Sequence, residues 1–179
     1  GTNPPVIQNL EMSYTFSNIK PVNLVSLNDF ALADHTKALV EGESFDPFTV
    51  IDDDEPTLYI GFDRPLGHQP MSLFAATELP NYQEPEDEST EDAPNRDDPT
   101  ENQPTHARIL WEYATEAGWS PLSLLDETQA FSRPGLLTFL PPSDLAAIEA
   151  FGRTHYWIRA RKTGGQFEVM PRLRGLLTN

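Results

Sequence analysis

The chain has 179 residues, 28 of them acidic and 12 basic, for a formal charge of −16, and it has no cysteine. Such a balance excludes phosphate-backbone binding and attraction to anionic membranes, both of which need a basic footprint. The missing thiols exclude disulfides and thiolate metal sites, and a chain this long can bury a core without them. Half of the charge is local. Residues 80–106 hold nine acids against Arg96, five of the 17 prolines and a single aromatic residue, Tyr82. That composition cannot bury enough apolar surface to offset its ordering entropy. It reads as a disordered insertion within one domain spanning 1–179, serving as a solvated spacer or as a docking segment for a basic partner.

From the N-terminus, residues 6–17 alternate, with Leu10, Met12, Tyr14 and Phe16 on one face, and predict a first strand. Lys20-Pro21 ends it, and residues 22–27 predict a second. Residues 28–40 fit either a capped helix or a strand and loop, and their β surroundings favour the latter. Phe45 to Phe48 is an aromatic-anchored turn, and Asp52 to Pro56 an acidic one. Strands follow at 57–62 and 71–77. Beyond the insertion, Ile109, Trp111 and Tyr113 alternate with Arg108, Leu110 and Glu112. Ala117-Gly118, Asp126 to Thr128 and Arg133 to Gly135 are turns. Residues 136–140 form a strand stopped by Pro141-Pro142. Ser143 or Asp144 caps a predicted short helix near 144–151, ended by Gly152. Residues 154–162 are the clearest late strand, and a Gly164-Gly165 turn leads into a returning strand at 167–170. About nine short strands predict an all-β, antiparallel β-sandwich of jelly-roll type. No signal peptide or membrane span is visible. With Leu176 and Leu177 still apolar near the end, the expectation is that the chain is a piece of a longer polypeptide.

Motifs for chemistry are sparse. No nucleophile elbow or phosphate loop is present. His35, His68, His106 and His155 lack metal-ligand spacing. His155, beside Tyr156 and Trp157, reads as an ordinary strand-start histidine rather than a ligand or base. Asp52, Asp53, Asp54 and Glu55 offer oxygens for calcium, but the glycine and distal glutamate of an EF-hand are missing, so a solvated turn is preferred. Glu112, Glu116, Asp126 and Glu127 contain candidate pairs for glycoside hydrolysis, of the kind any acidic β chain offers by chance. Trp111, Tyr113, Trp119, Tyr156 and Trp157 suit a sugar-binding platform or, more simply, a sandwich core. Trp157 shares its strand face with Arg159 and Arg161. Those three residues form a candidate interaction surface if that face is open, and core if it is packed. The expectation is a non-enzyme without metal or cofactor, and the alternative is a carbohydrate-binding β-sandwich module of a larger protein.

Several segments together carry a resemblance. They are Trp111-Glu112-Tyr113, Trp119, Leu122, Asp126 with Thr128, Gly135, Phe139, Pro141 and Asp144, then Tyr156-Trp157-Ile158-Arg159-Ala160-Arg161, Gly164, Pro171 and Asn179. Upstream stand Phe45-x-Pro47-Phe48, Leu58 to Asp63 and Pro65-Leu66. In this order the segments resemble the baseplate assembly protein family of phage-tail-like contractile injection systems. The similarity spans about residues 45–179 apart from the acidic insertion, which has no counterpart in the family pattern. The resemblance implies one domain of a much larger structural protein that helps build the baseplate. It implies other baseplate subunits as partners, with a glycan or receptor as a further candidate, and assembly in the cytoplasm as part of a particle. It supplies no catalytic residues.

Overall fold

A computed structural model describes residues 19–49, 55–78 and 106–178. Eleven strands and one turn of helix appear among them, in the order β1 (Asn23–Asn28), β2 (Ala31–Asp34), α1 (Ala38–Glu41), β3 (Thr57–Phe62), β4 (Met71–Thr77), β5 (Arg108–Thr115), β6 (Gly118–Pro121), β7 (Leu124–Asp126), β8 (Gly135–Phe139), β9 (Ala147–Ala150), β10 (Arg153–Gly164) and β11 (Leu173–Thr178). They form two antiparallel sheets. The larger runs β2-β1-β3-β10-β5-β6, with β9 also paired to β10, and the smaller runs β11-β4-β8-β7. The fold is therefore all-β and sandwich-like, as the strand periodicity predicts.

The two sheets share one core. The larger contributes Leu24, Leu58, Ile60, Phe62, Trp111, Tyr113, Ile158 and Ala160, and the smaller Leu73, Ala75, Leu137, Phe139, Leu173 and Leu176. Phe45, Phe48 and Phe131 add bulk from the loops. Each large apolar side chain so buried contributes roughly 1.5–3 kcal/mol. Strands from before and after residues 79–105 are neighbours in both sheets: β3 pairs with β10, and β4 with β8 and β11. Neither side of that segment completes a sheet by itself.

Strand β10 is the central element. Its 12 residues pair with β3 on one side, and with β5 and then β9 on the other. That arrangement corrects the predicted helix near 144–151. Ala147–Ala150 is a strand laid along the first part of β10, beyond the reach of β5. The connecting residues Phe151 (φ 53°) and Gly152 (φ 71°) make a two-residue turn of the kind that matches strand twist. An isolated helix of seven residues is marginal in water, whereas a hairpin satisfies the open side of β10.

Two further corrections follow from the packing. Residues 167–170 form no returning strand. Phe167 instead stacks on Phe48 at 5.5 Å, and the strand that closes the smaller sheet is β11. Residues 28–40 hold the expected strand, but also α1, ended by Gly42 in a left-handed conformation (φ 67°). The predicted first strand at 6–17, Asp52 to Asp54, nearly all of the acidic insertion and Asn179 lie outside the described residues. Among the described residues, no helix is long and apolar enough to cross a membrane.

Candidate functional site

Alternation along β10 sends Trp157, Arg159 and Arg161 to the face of the larger sheet that points away from the shared core. Trp157 lies opposite Gly61 of β3, Arg159 between Tyr59 and Glu112, and Arg161 between Thr57 and Leu110. That face is not open at Trp157. Val25, Tyr59, Ala114 and Trp157 form a second apolar cluster, flanked by Leu27, Trp119, Ile148, Ala150 and Phe151. The β9–β10 hairpin helps build it: Phe151 meets Trp157 edge-on at 5.5 Å and Tyr59 at 4.8 Å. Trp157 is 0% exposed. As an accessible anchor it is therefore corrected to core, the outcome expected when both faces of its strand are packed.

The close approach depends on a missing side chain. A Cβ on Gly61 would sit 2.7 Å from Cζ3 of Trp157, well inside contact distance. Gly61→Ala is expected to cost about 2 kcal/mol by overpacking. Denaturant unfolding should show a lower midpoint with an unchanged m value.

The two arginines belong to an ionic ladder. Glu112 accepts hydrogen bonds from Arg159 Nε at 2.8 Å and Arg161 Nε at 3.0 Å on Oε2, and from Arg161 Nη2 at 3.3 Å on Oε1. Arg161 Nη1 also donates to Glu55 at 2.7 Å. The Arg159 guanidinium lies 4.1 Å from the centre of the Trp119 ring, a cation–π contact. Side-chain exposure is 9% for Glu112, 16% for Arg159 and 22% for Arg161. Burial alone would raise the Glu112 pKa. The hydrogen bonds and charges of Arg159 and Arg161 outweigh it and hold the carboxyl below its ordinary value.

A second arrangement organises the turn after β7. Gln129, Ala130 and Phe131 all have left-handed backbones, with φ of 53°, 57° and 63°. Side chains in that region cost roughly 1–2 kcal/mol each. Local hydrogen bonds hold the turn. Asp126 Oδ1 accepts from the Thr128 amide at 2.7 Å and hydroxyl at 2.5 Å, and Asp126 Oδ2 from the Ala130 amide at 3.3 Å. Thr128 Oγ1 accepts from the Phe131 amide at 2.8 Å. The turn drives Phe131 into the core, 5.8 Å from Trp111 and 6.0 Å from Phe48. Gly135 permits it, since a Cβ there would lie 2.9 Å from the Glu127 backbone. Sequence reasoning saw only an ordinary turn at Asp126 to Thr128. The Asp-x-Thr spacing was the available signal, because these side chains favour bonding to nearby backbone.

The remaining candidates disperse. Of the four carboxylates considered for glycoside hydrolysis, Glu112 and Asp126 are engaged as described, and Glu116 and Glu127 are exposed. A cavity of about 560 Å³ opens beside the left-handed turn, lined in part by Ile109, Trp111, Leu124, Asp126 and Phe167. Asp126 is the sole member of that carboxylate set to reach it, and Trp111 the sole member of the five aromatics. Trp111 and Tyr113 are 5% and 8% exposed, so no sugar-stacking platform forms from them. Tyr113 spends its hydroxyl on Asp144 at 2.9 Å.

The histidines are separate as well. His35 stacks on Phe45 at 4.5 Å and bonds Ser26 at 2.8 Å, and burial pushes its pKa down. His155 bonds Asn23 at 2.6 Å, His106 lies 3.3 Å from Glu168, and His68 is exposed. Among the described residues, no group of three or more His, Asp or Glu side chains is placed to hold a metal. The geometry defines a β-sandwich-like domain whose polar motif residues bind one another. No family model and no curated protein sequence matches the chain.

Proposed function

We propose that this chain is a structural and interaction domain of a baseplate component in a phage-tail-like contractile injection system. One observation carries the reading. The residues on which the resemblance rests form the framework of the fold. Glu112 holds Arg159 and Arg161, Gly61 seats Trp157, and Asp126, Thr128 and Gly135 build one turn. Tyr113 bonds Asp144 across 31 residues. Motif residues that spend their polar groups on one another suit a building part better than a catalyst, whose reactive groups must face substrate.

The test is electron microscopy of particles from the producing cells after in-frame removal of residues 1–179 from the parent gene. The expected result is a loss of contractile particles, or sheaths without baseplates. Normal particles that fail to engage a target would make the domain an outward recognition module, with glycan binding the next question. Absence of such particles from unmodified cells would overturn the reading.

A further inference from the structure

We propose that the outer face of the smaller sheet is a docking surface for the chain's own residues 6–17, with the apolar side of that segment laid against it. The inference stands apart from the baseplate reading.

A solvated antiparallel sheet is apolar toward the core and polar toward water. The smaller sheet breaks that rule. Register sets Leu177 of β11, Phe74 of β4 and Leu136 of β8 side by side, in a row that points away from the core. The neighbouring row holds Ser72, Thr138 and Leu125. On the other side, Ala76 stands opposite Gly175. None of these positions carries a charge. The two hydroxyl side chains among them, Ser72 and Thr138, bond each other at 3.0 Å. Leu177, Phe74, Leu136 and Leu125 are between 37% and 63% exposed, and Leu140, just past β8, is 59% exposed. Single exposed apolar residues are ordinary, whereas a set contiguous through strand register marks a surface that binds something. The larger sheet treats its outer face differently. There the β9–β10 hairpin covers Trp157, and Glu112 holds Arg159 and Arg161 beside it.

Size and point of entry select the occupant. Four strands about 4.8 Å apart, each about five residues long, give a footprint of roughly 15 by 17 Å. A stable interface between two proteins takes roughly 800 Å² from each. The face falls short of that, and a second copy would bring a further charge of −16. It suits one extended segment, and the sequence holds one of matching chemistry. Leu10, Met12, Tyr14 and Phe16 alternate with Glu11, Ser13 and Thr15, which gives one side for the sheet and one for water. The chain also arrives at the right place. Ile19 shares a small cavity of about 130 Å³ with Met71, Ser72 and Thr178, at the end of the sheet where β4 begins and β11 stops. Ser72 belongs to the uncharged face itself. Twelve extended residues reach about 40 Å, enough to cross all four strands. The free edge of β11 is a poorer berth, because Phe45 and Leu173 exchange backbone hydrogen bonds there at 2.8 and 2.9 Å.

Nuclear Overhauser contacts within the whole chain are the first test. The methyl groups of Leu136 and Leu177 are expected to touch the side chains of Met12, Tyr14 or Phe16. Contacts from those methyls to a second molecule, or their full access to a soluble paramagnetic probe, would overturn the proposal. The second test introduces Met12→Glu together with Tyr14→Glu in the whole chain. Binding of an apolar dye should rise severalfold as the face is uncovered, and the Leu177 contacts should disappear. Leu177→Glu should lower the unfolding midpoint of the parent but leave that of the doubly substituted chain almost unmoved, because the two changes break the same contact. An exposed leucine with no cover should not lower the midpoint in either background. Unchanged dye binding, or an equal effect of Leu177→Glu in both chains, would sink the proposal.

Discussion

Glu112→Ala is expected to remove about 3 kcal/mol or more of folding stability, measured by denaturant unfolding at neutral pH. The substitution deletes the one carboxylate that answers both Arg159 and Arg161. Two guanidinium groups, 16% and 22% exposed, would then stand largely out of water. Arg161 keeps Glu55, and Arg159 keeps its stacking on Trp119. These remnants place the loss near the lower end of what breaking a buried pair costs. Truncating both arginines along with Glu112 should be much less damaging than the sum of the single changes, because no charge is left stranded.

The same carboxyl makes the effect pH-dependent. Its folded-state pKa lies below the ordinary 4.5, so the unfolded chain takes up the proton first as pH falls. The ion-pair contribution is whole above about pH 4.5 and is lost as pH drops through the folded pKa. The stability gap between the parent and Glu112→Gln should therefore be constant at neutral pH and narrow in acid. A gap that stays constant down to pH ~3 would locate the effect in packing rather than charge.

Asp126→Ala is expected to cost about 3 kcal/mol as well, since each hydrogen bond to a charged acceptor contributes roughly 1.5–3 kcal/mol and the turn it supports is strained. Removing the carboxylate leaves the amide of Thr128, a residue 0% exposed, without its acceptor. Released, the three left-handed residues relax and withdraw Phe131 from its place beside Trp111 and Phe48. Quenching of Trp111 fluorescence should change along with stability. Gln129→Gly should do the opposite and raise stability by roughly 0.5–1 kcal/mol, because Gln129 is exposed and a glycine removes the backbone penalty. A neutral or harmful Gln129→Gly would show that the glutamine side chain earns its place by another contact.

The strands at 57–62, 71–77 and 154–162, and the alternation over 108–113, were legible from sequence because one or both faces of each meet apolar neighbours. β9 was not. Ala147–Ala150 has helix-forming residues, and only pairing to β10, a tertiary contact, overrides that preference. The left-handed turn stayed hidden for a related reason: Gln129, Ala130 and Phe131 include no glycine or asparagine to announce it. The Trp157 face was legible as a choice between open and packed. What closes it, Phe151 at the tip of the unforeseen hairpin, could not be known while those residues were assigned to a helix. Glu112 was noticed as a carboxylate, but its partners stand 47 and 49 residues away and meet it only through strand register.

The order of the smaller sheet bears on how the chain comes off the ribosome. Strand β4 is synthesised early, yet both of its neighbours come late: Leu136 and Leu177 flank Phe74, the latter about a hundred residues downstream. Phe45 must likewise wait for Leu173 before its backbone pairs. Until β11 emerges, β4 presents a bare apolar edge during translation. The segment made before β11 is thus open to premature association, and completion of the smaller sheet waits on strands distant in sequence rather than on local hairpins.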